Sequence, residues 1–397
     1  MKLWGIQHFA EANYKMRYWA SKQKDRARRK PQITAGTIFE AIAYQAVLGK
    51  RSLLQEDQWL RTEEAKTLHK SKRPMVASDT TILKALGKWE LEPTREASYA
   101  RHLMLRDKGQ SSVVLSTGRT IKLAIVDGTL QGVLGTSALA MAGEVYHLID
   151  AEPSPGRGHE LKTSRKLLRR AASVLGKGFA THVVYDGLAA NRIDLAFVHR
   201  RIGAHLVVKT QEETLEIIQS SKAVWEKLPE PTLQKAGVEI VEGLDAESSI
   251  RYKVYTQGGI IWDRLKEPLK LAWVQEKHLK GKYKGQTLSF WVISTDESLT
   301  AMECREIAHD RWAIETNGFK ELNEQVGSKR RYIKNLKVKE ALVLIWGLGM
   351  SLLKAYQRFL DTQDEWIRWG VKKTKKLLAQ AIIASLRCDV AFDSGPP

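Results

Sequence analysis

Cysteine and long apolar runs are scarce in this chain. Cys304 and Cys388 are the only two cysteines in 397 residues. They are too few for a disulfide framework or a four-thiolate zinc site, and so we expect a reducing compartment, the cytosol or the nucleoid. The longest apolar run, residues 341–353, falls short of the about 20 residues that span a bilayer and predicts a buried helix. Because residues 1–10 also lack the apolar core of a signal peptide, we expect neither a membrane protein nor a secreted one.

Acidic residues are also scarce relative to basic ones. The 64 Lys and Arg residues against 45 Asp and Glu give a net charge of +19, whereas the 43% hydrophobic content is typical of a folded protein of two or three domains. One basic run alone is commonly a solvated face, but several on a strongly basic chain predict a track that binds phosphate. The basic runs are residues 22–30, 157–170, 320–339 and 368–376.

Residues 37–106 have a helical pattern. Ile38, Ile42 and Ala46 recur at helical spacing, and Ser78 and Gly87 are suitable start and stop signals for a helix between them. Short helices of this kind are compatible with a helix-turn-helix whose segment 79–89 enters a DNA groove. An ordinary helical bundle is the favoured interpretation, because no part of the pattern is diagnostic of a helix-turn-helix.

The pattern changes at residue 109 to strands that alternate with helices. An α/β plan of three strands, helix, strand, helix and strand is predicted over residues 109–209. Short strands then dominate residues 210–299, which we interpret as a β-rich insertion because helices resume at residue 300. The predicted strands are 112–115, 122–126, 145–149, 183–185, 205–209, 238–241, 251–255, 260–262, 270–274 and 287–294, and the predicted helices are 158–176, 191–200 and most of 300–386.

Two of the predicted strands end in the same way. Residues 122–128 read KLAIVDG and residues 182–187 read HVVYDG, so that an apolar run carries Asp127 or Asp186 to a strand end and a glycine follows for a sharp turn. Neighbouring strands would bring these carboxylates within a few ångströms, where a hard cation such as Mg²⁺ or Mn²⁺ is favoured. Each aspartate alone could equally cap a turn. Asp150, after another strand, is the main rival carboxylate.

A third carboxylate is expected from a later helix. Arg311 and Glu315 are four residues apart within the predicted helix 309–324 and therefore lie on one face. The alternative is an exposed ion pair on an ordinary helix.

Taken together, these segments resemble the DDE transposases of bacterial insertion sequences. The similar group has the signature Tyr-x2-Arg-x3-Glu-x6-Lys, commonly with Trp after the Arg and Ile before the Glu, and residues 311–315 read RWAIE. The aspartates are 59 residues apart and Glu315 follows 129 residues later, with the predicted insertion in the second interval. The chain departs from the signature in two ways. Ala308 stands where the signature has tyrosine, and no lysine stands at the expected position after the glutamate. Lys320 could substitute for that lysine if the helix carries an extra residue at Gly318.

The resemblance implies an α/β fold with an RNase H-like catalytic domain, formed by residues 109–209 and 300–335, that is interrupted by a β-rich insertion at 210–299. Helical regions at 1–108, expected to bind DNA, and at 336–397 flank it. Asp127, Asp186 and Glu315 would be the catalytic residues and would bind two Mg²⁺ or Mn²⁺ ions. The implied reaction is cleavage of DNA at transposon ends and joining of the 3′-OH to target DNA.

The same resemblance implies the partners. Double-stranded DNA would be bound as inverted repeats and as target, with a homodimer in the synaptic complex. Arg311 and Lys320 are expected to hold phosphates, Trp291 to stack on a flipped base or fill the core, and Lys329 and Arg330 to contact DNA. Two alternatives are a DNA-binding protein without catalysis and a metal-dependent nuclease without strand transfer.

Overall fold

Helices make up the first part of the chain. The computed structural model describes residues 6–24, 33–69, 77–131, 134–143, 146–156, 158–262, 265–328 and 333–361. The helical pattern predicted for residues 37–106 is confirmed within those ranges. The helices there are α1 (Ile6–Tyr14), α2 (Met16–Lys22), α3 (Ala35–Leu48), α4 (Leu53–Leu60), α5 (Glu63–Leu68), α6 (Asp79–Gly87) and α7 (Glu92–Asp107).

The start and stop signals predicted for α6 are confirmed. The Ser78 hydroxyl accepts a hydrogen bond from the Thr81 amide at 3.2 Å, and the helix ends at Gly87. Ile82 and Leu86 are buried in a core shared with neighbouring helices. Both a helical bundle and a helix-turn-helix bury such a face, so entry of α6 into a DNA groove stays a prediction.

The remainder of the described chain alternates strands and helices. The strands are β1 (Val113–Val114), β2 (Thr120–Ile121), β3 (Leu123–Gln131), β4 (Leu134–Met141), β5 (His147–Ser154), β6 (His182–Asp186), β7 (His205–Thr210), β8 (Glu239–Asp245), β9 (Ile250–Ile260), β10 (Leu269–His278) and β11 (Thr287–Ser294). The helices are α8 (Glu160–Leu175), α9 (Arg192–Phe197), α10 (Glu216–Trp225), α11 (Glu230–Lys235), α12 (Ala301–Ile314), α13 (Glu321–Val326) and α14 (Leu336–Asp361). A 3-10 turn covers Gly187–Ala189, and π-helical segments cover Val198–Ile202 and Glu315–Lys320.

Nine of these strands form one mixed sheet. They are hydrogen-bonded in the order β5-β4-β3-β6-β7-β11-β10-β9-β8, while β1 and β2 form a small separate sheet. The central strands β3, β6 and β7 are parallel, and the other neighbours are antiparallel. The protein is therefore a mixed α/β structure with helices in both of its terminal regions.

The predicted order of three strands, helix, strand, helix and strand is confirmed with one correction. The three strands before α8 in the main sheet are β3, β4 and β5, whereas residues 112–115 belong to the small sheet. The sequence did not indicate β4 because its residues, LGTSALAM, include few of the β-branched or aromatic types that mark a strand. A Cβ at Gly135 would overlap the Ser154 hydroxyl of β5, so this small residue permits the close pairing.

Residues 210–299 extend the same sheet. β11 pairs with β7 between Trp291↔Thr210 and Ser294↔Val207, and β10, β9 and β8 follow outward as antiparallel neighbours. The segment also contains α10 and α11, which the strand-dominated prediction missed, and the predicted strands 251–255 and 260–262 are largely one strand, β9.

The two terminal helical regions pack together. α14 contains the apolar run 341–353, and its buried side chains share a core with α3, which confirms the predicted buried helix. The Trp346 indole N–H donates to the Gln45 side-chain oxygen at 2.9 Å, and a Cβ at Gly349 would overlap the Ala43 carbonyl. No helix in the described ranges has both the length and the apolarity needed to cross a membrane.

Each face of the sheet is covered by different helices. Val183 and Tyr185 of β6 belong to the core beneath α8 and α9, whereas Val184 belongs to the core beneath α12. Alternate residues of a strand point to opposite faces. Asp127 is two residues after Ile125, and Asp186 is two residues after Val184. Both aspartates therefore lie on the α12 face.

The rival carboxylate, Asp150, has a structural role. Its buried side chain accepts hydrogen bonds from the Tyr99 hydroxyl at 2.7 Å and from Arg170 Nε at 2.6 Å, and Arg95 Nε lies 3.5 Å away. Arg170 also donates to Glu152 at 3.0 Å. These contacts join α7, α8 and β5, because a carboxylate buried in this way needs its positive partners.

We predict that Arg170→Met destabilises the protein by about 3 kcal/mol at pH 7, because it leaves Asp150 buried with weaker compensation. Lys166→Met is the matched control on the same helix: its side chain is 62% exposed, and it pairs with Glu152. The control should lose less than about 1 kcal/mol. Urea unfolding of both variants measures the difference, and equal losses would contradict the structural role of Asp150.

Candidate metal centre

The parallel pairing of β3 with β6 brings the two predicted aspartates together. The register pairs Leu123 with His182 and Ile125 with Val184. Asp127 follows Ile125 by two residues, and Asp186 follows Val184 by two residues. Asp186 is the last residue of β6, as predicted. Asp127 differs from the prediction, because β3 continues to Gln131 in its pairing with β4. It lies where β3 separates from β6, which leaves room for its carboxylate.

A third carboxylate, Glu160, completes a cluster that the sequence analysis did not identify. One oxygen each from Asp127, Asp186 and Glu160 lies within 4.8 Å of the others. Asp127 is 4% exposed, and the other two are half-buried. Glu160 is the first residue of α8. In the sequence it is marked only by being the single acid in the basic run 157–170. Three carboxylates at this separation can hold a divalent cation through hard oxygen ligands.

The Glu160 carboxylate has polar and charged neighbours beside the aspartates. The Tyr185 hydroxyl lies 3.5 Å from its carboxylate and 2.7 Å from the Ser164 hydroxyl. Burial and the neighbouring Asp186 raise the pKa of Glu160 above its ordinary value, while the Tyr185 hydroxyl, the Gly128 amide and Arg311 act in the opposite direction. The site therefore concentrates negative charge, which the neighbouring hydrogen-bond donors and Arg311 offset only in part.

The glycines that follow the aspartates provide space, which corrects the predicted reason for them. Neither Gly128 nor Gly187 has a positive φ, so neither is required for a sharp turn. A Cβ at Gly128 would overlap the Glu160 carboxyl group, and one at Gly187 would lie 2.7 Å from the Thr210 hydroxyl. The glycine after Asp127 thus lets Glu160 approach.

Arg311 lies beside this cluster, and its contact with a scissile phosphate stays a prediction. Its Nη1 is 3.7 Å from the Asp127 carboxylate, and α12 packs across β3, β6 and β7. A guanidinium here offsets part of the negative charge. It is also placed to contact an anionic substrate at the same position.

The helix of Arg311 changes geometry at Glu315. Residues Glu315–Lys320 are π-helical, and a π-helical turn accommodates an additional residue. The extra residue suggested near Gly318 is therefore present, and Lys320 is exposed at the end of this segment. The side chain of Glu315 lies outside the described part of the structure, as do Lys329 and Arg330.

Lys209 is a second residue that sequence reasoning missed. It pairs in register with Asp186 and is 5% exposed, and its ammonium group lies 3.9 Å from the Trp312 ring centroid and 4.0 Å from that of Phe290. A buried lysine between two aromatic rings adds positive charge next to the cluster. Its signal was a basic residue within the apolar strand HLVVKT.

Trp291 lies in the core of the opposite face. It is 1% exposed and stacks between Trp225 at 5.5 Å and Trp273 at 5.3 Å between ring centroids. It shares a core with residues beneath α8 and α10, whereas its neighbour Val292 lies on the α12 face with the aspartates. Of the two roles expected for Trp291, filling the core fits this arrangement; stacking on a base would require the three indoles to separate.

No model of a protein family matches the chain, and a search of characterised proteins finds no match.

We predict that Mn²⁺ raises the melting temperature of the protein and that Asp186→Asn abolishes this rise. Without metal the variant should be at least as stable as the wild type, because one of three neighbouring negative charges has been removed. Asp107→Asn, at an exposed position of α7, is the control and should behave like the wild type. Differential scanning calorimetry with and without Mn²⁺ measures both effects. An unaltered Mn²⁺ response in Asp186→Asn would contradict the site.

A second prediction concerns the space that Gly128 leaves. Gly128→Ala should weaken Mn²⁺ binding about tenfold while the protein remains folded, because the new methyl group pushes the flexible Glu160 side chain away from the aspartates. Gly258→Ala on β9 is the control, since the nearest atom to its Cβ would be 3.8 Å away. Calorimetric titration measures the affinity, and equal values for both variants would show that Glu160 does not act as a ligand.

Proposed function

We propose that this chain is a metal-dependent enzyme that cleaves DNA and joins the resulting 3′-OH to a second DNA, as a DDE transposase does. The observation that carries the proposal is the position of Asp127 and Asp186. Two aspartates selected from sequence for their matching motifs lie on adjacent parallel strands, with a third carboxylate within 4.8 Å. The helix with the RWAIE motif packs beside them through Arg311.

We further propose that β3 to β7 form an RNase H-like domain. Three antiparallel strands followed by two parallel ones, with α8 and α9 on one face and α12 on the other, support this assignment. The segment 210–299 would then be the insertion, which has joined the edge of the catalytic sheet next to β7.

The residues of the site fit hard divalent cations. Asp127, Asp186 and Glu160 offer oxygen ligands only, which suits Mg²⁺ or Mn²⁺, and Glu315 is the ligand that the resemblance adds. Two such ions, when bound, supply the positive charge that favours in-line attack at a phosphate. Arg311, held beside Asp127, would orient the scissile phosphate, and Lys320 would hold the adjacent backbone. The partner is double-stranded DNA, with a homodimer joining two ends.

We predict that the wild type cleaves DNA containing the sequences that flank its own gene when Mg²⁺ or Mn²⁺ is present. Asp127→Asn should cleave at least about 100-fold more slowly, since loss of a metal ligand removes several kcal/mol of transition-state stabilisation. DNA binding, measured in parallel, should be retained. Equal background cleavage by both proteins would instead favour a DNA-binding protein without catalysis, and cleavage without joined products a nuclease.

The two candidate third ligands give separate expectations. If Glu315 is the ligand implied by the resemblance, Glu315→Gln abolishes cleavage as Asp127→Asn does. If Glu160 fills that role, Glu160→Gln has the larger effect. Measuring cleavage and Mn²⁺ affinity for both variants decides between them, and full activity of both would exclude a three-carboxylate mechanism.

A further inference from the structure

A cleft lined by arginines lies at the far end of α8 from the metal cluster. Its volume is about 640 Å³, and it is lined by Arg169 of α8 and by Arg200 and Arg201 of the π-helical segment. Apolar side chains, among them Phe197 and Ile202, also line it. The Arg169 guanidinium lies 5.0 Å from the centre of the Phe197 ring, a contact that fixes its position.

Several basic residues around this cleft are already neutralised. Three bases of α8 and one of the cleft form ion pairs with carboxylates. The pairs are Arg165 with Asp194, Lys166 with Glu152, Arg170 with Asp150 and Glu152, and Arg200 with Glu267. Lys162, Arg169 and Arg201 are exposed and form no ion pair with a residue that the structure describes. These three cations are therefore available to a partner.

These three cations stand in a fixed relation to the candidate metal centre. Glu160, at the first position of α8, belongs to the carboxylate cluster. Lys162 and Arg169 are two helical turns apart and so lie on one face, and Arg169 is about 14 Å along the helix axis from Glu160 at a rise of 1.5 Å per residue. At 100° per residue both cations are about half a turn around the helix from Glu160, so they lie on the exposed side of α8 while Glu160 faces the aspartates.

We propose that Lys162, Arg169 and Arg201 form a binding surface for the phosphate backbone of double-stranded DNA on the exposed side of α8 and the adjacent cleft. That this DNA is also the substrate cleaved beside the carboxylate cluster rests on the proposed function. The cations are spread along a helix and an adjacent cleft, a spacing that fits a polymeric anion better than a small one. Contacts to phosphate carry no base information, so the surface holds DNA of any sequence.

The test compares two variants of equal net charge. Lys162→Gln combined with Arg169→Gln and Arg201→Gln removes the surface, whereas Lys280→Gln, Lys282→Gln and Lys284→Gln remove three exposed lysines between β10 and β11. Fluorescence anisotropy with a 30-base-pair duplex, without divalent metal, gives the affinity over a range of salt concentrations. The slope of log affinity against log salt should be shallower by about 2.7 in the first variant, at about 0.9 per phosphate contact, and unchanged in the second.

Equal slopes in the two triple variants, or absence of duplex binding by the wild type, would overturn the proposal. Since Arg169 also contacts Phe197, thermal unfolding checks the fold, and the single variant Lys162→Gln, with an expected change of about 0.9, gives an independent measurement. Cleavage is assayed separately with metal. If the slope is shallower in the first triple variant but the wild type cleaves no DNA, the binding surface is established and the proposed enzymatic function is contradicted. If the wild type cleaves DNA but the two slopes are equal, the enzymatic function is supported and the binding surface is contradicted.

Discussion

Repulsion among three carboxylates is the constraint around which the centre of this protein is arranged. Two unit charges 4.8 Å apart repel by about 3.5 kcal/mol at the effective dielectric constant of 20 that suits partly buried groups. The fold brings the carboxylates together nonetheless, since β3 and β6 are parallel and in register and α8 begins next to their ends. Arg311 and backbone amides offset part of the repulsion. A fold that retains such an arrangement is well suited to a cation that completes the compensation.

The surrounding structure makes this arrangement rigid. α8 carries Glu160 at its first residue, and the ion pairs of Arg165 and Arg170 fix the helix to Asp194 and to Asp150 of β5. Buried ion pairs contribute little net stability, but they restrict how the joined elements can be placed relative to one another. In this protein they hold the carboxylate at the start of α8 at a constant distance from the sheet.

Some of this could be predicted from sequence and some could not, for physical reasons. The apolar runs before Asp127 and Asp186 indicated neighbouring buried strands, because both faces of a central parallel sheet are covered. Glu160 gave no comparable local signal, since its approach to the aspartates depends on how α8 packs and on the space at Gly128. The face occupied by Trp291 depends on strand register, where a shift of one residue reverses every side chain. β4 was missed because its small residues obtain their strand conformation from their neighbours.

The number of basic residues in a segment likewise does not show where their charges lie in the fold. The run 157–170 has six bases and one acid, which in sequence looks like a uniform basic segment. In the fold, Arg165, Lys166 and Arg170 are used to attach α8 to carboxylates elsewhere, and the single acid of the run faces the aspartates. Lys162 and Arg169 remain exposed on the helix. One helix thus carries a carboxylate of the cluster on one side and these cations on the other.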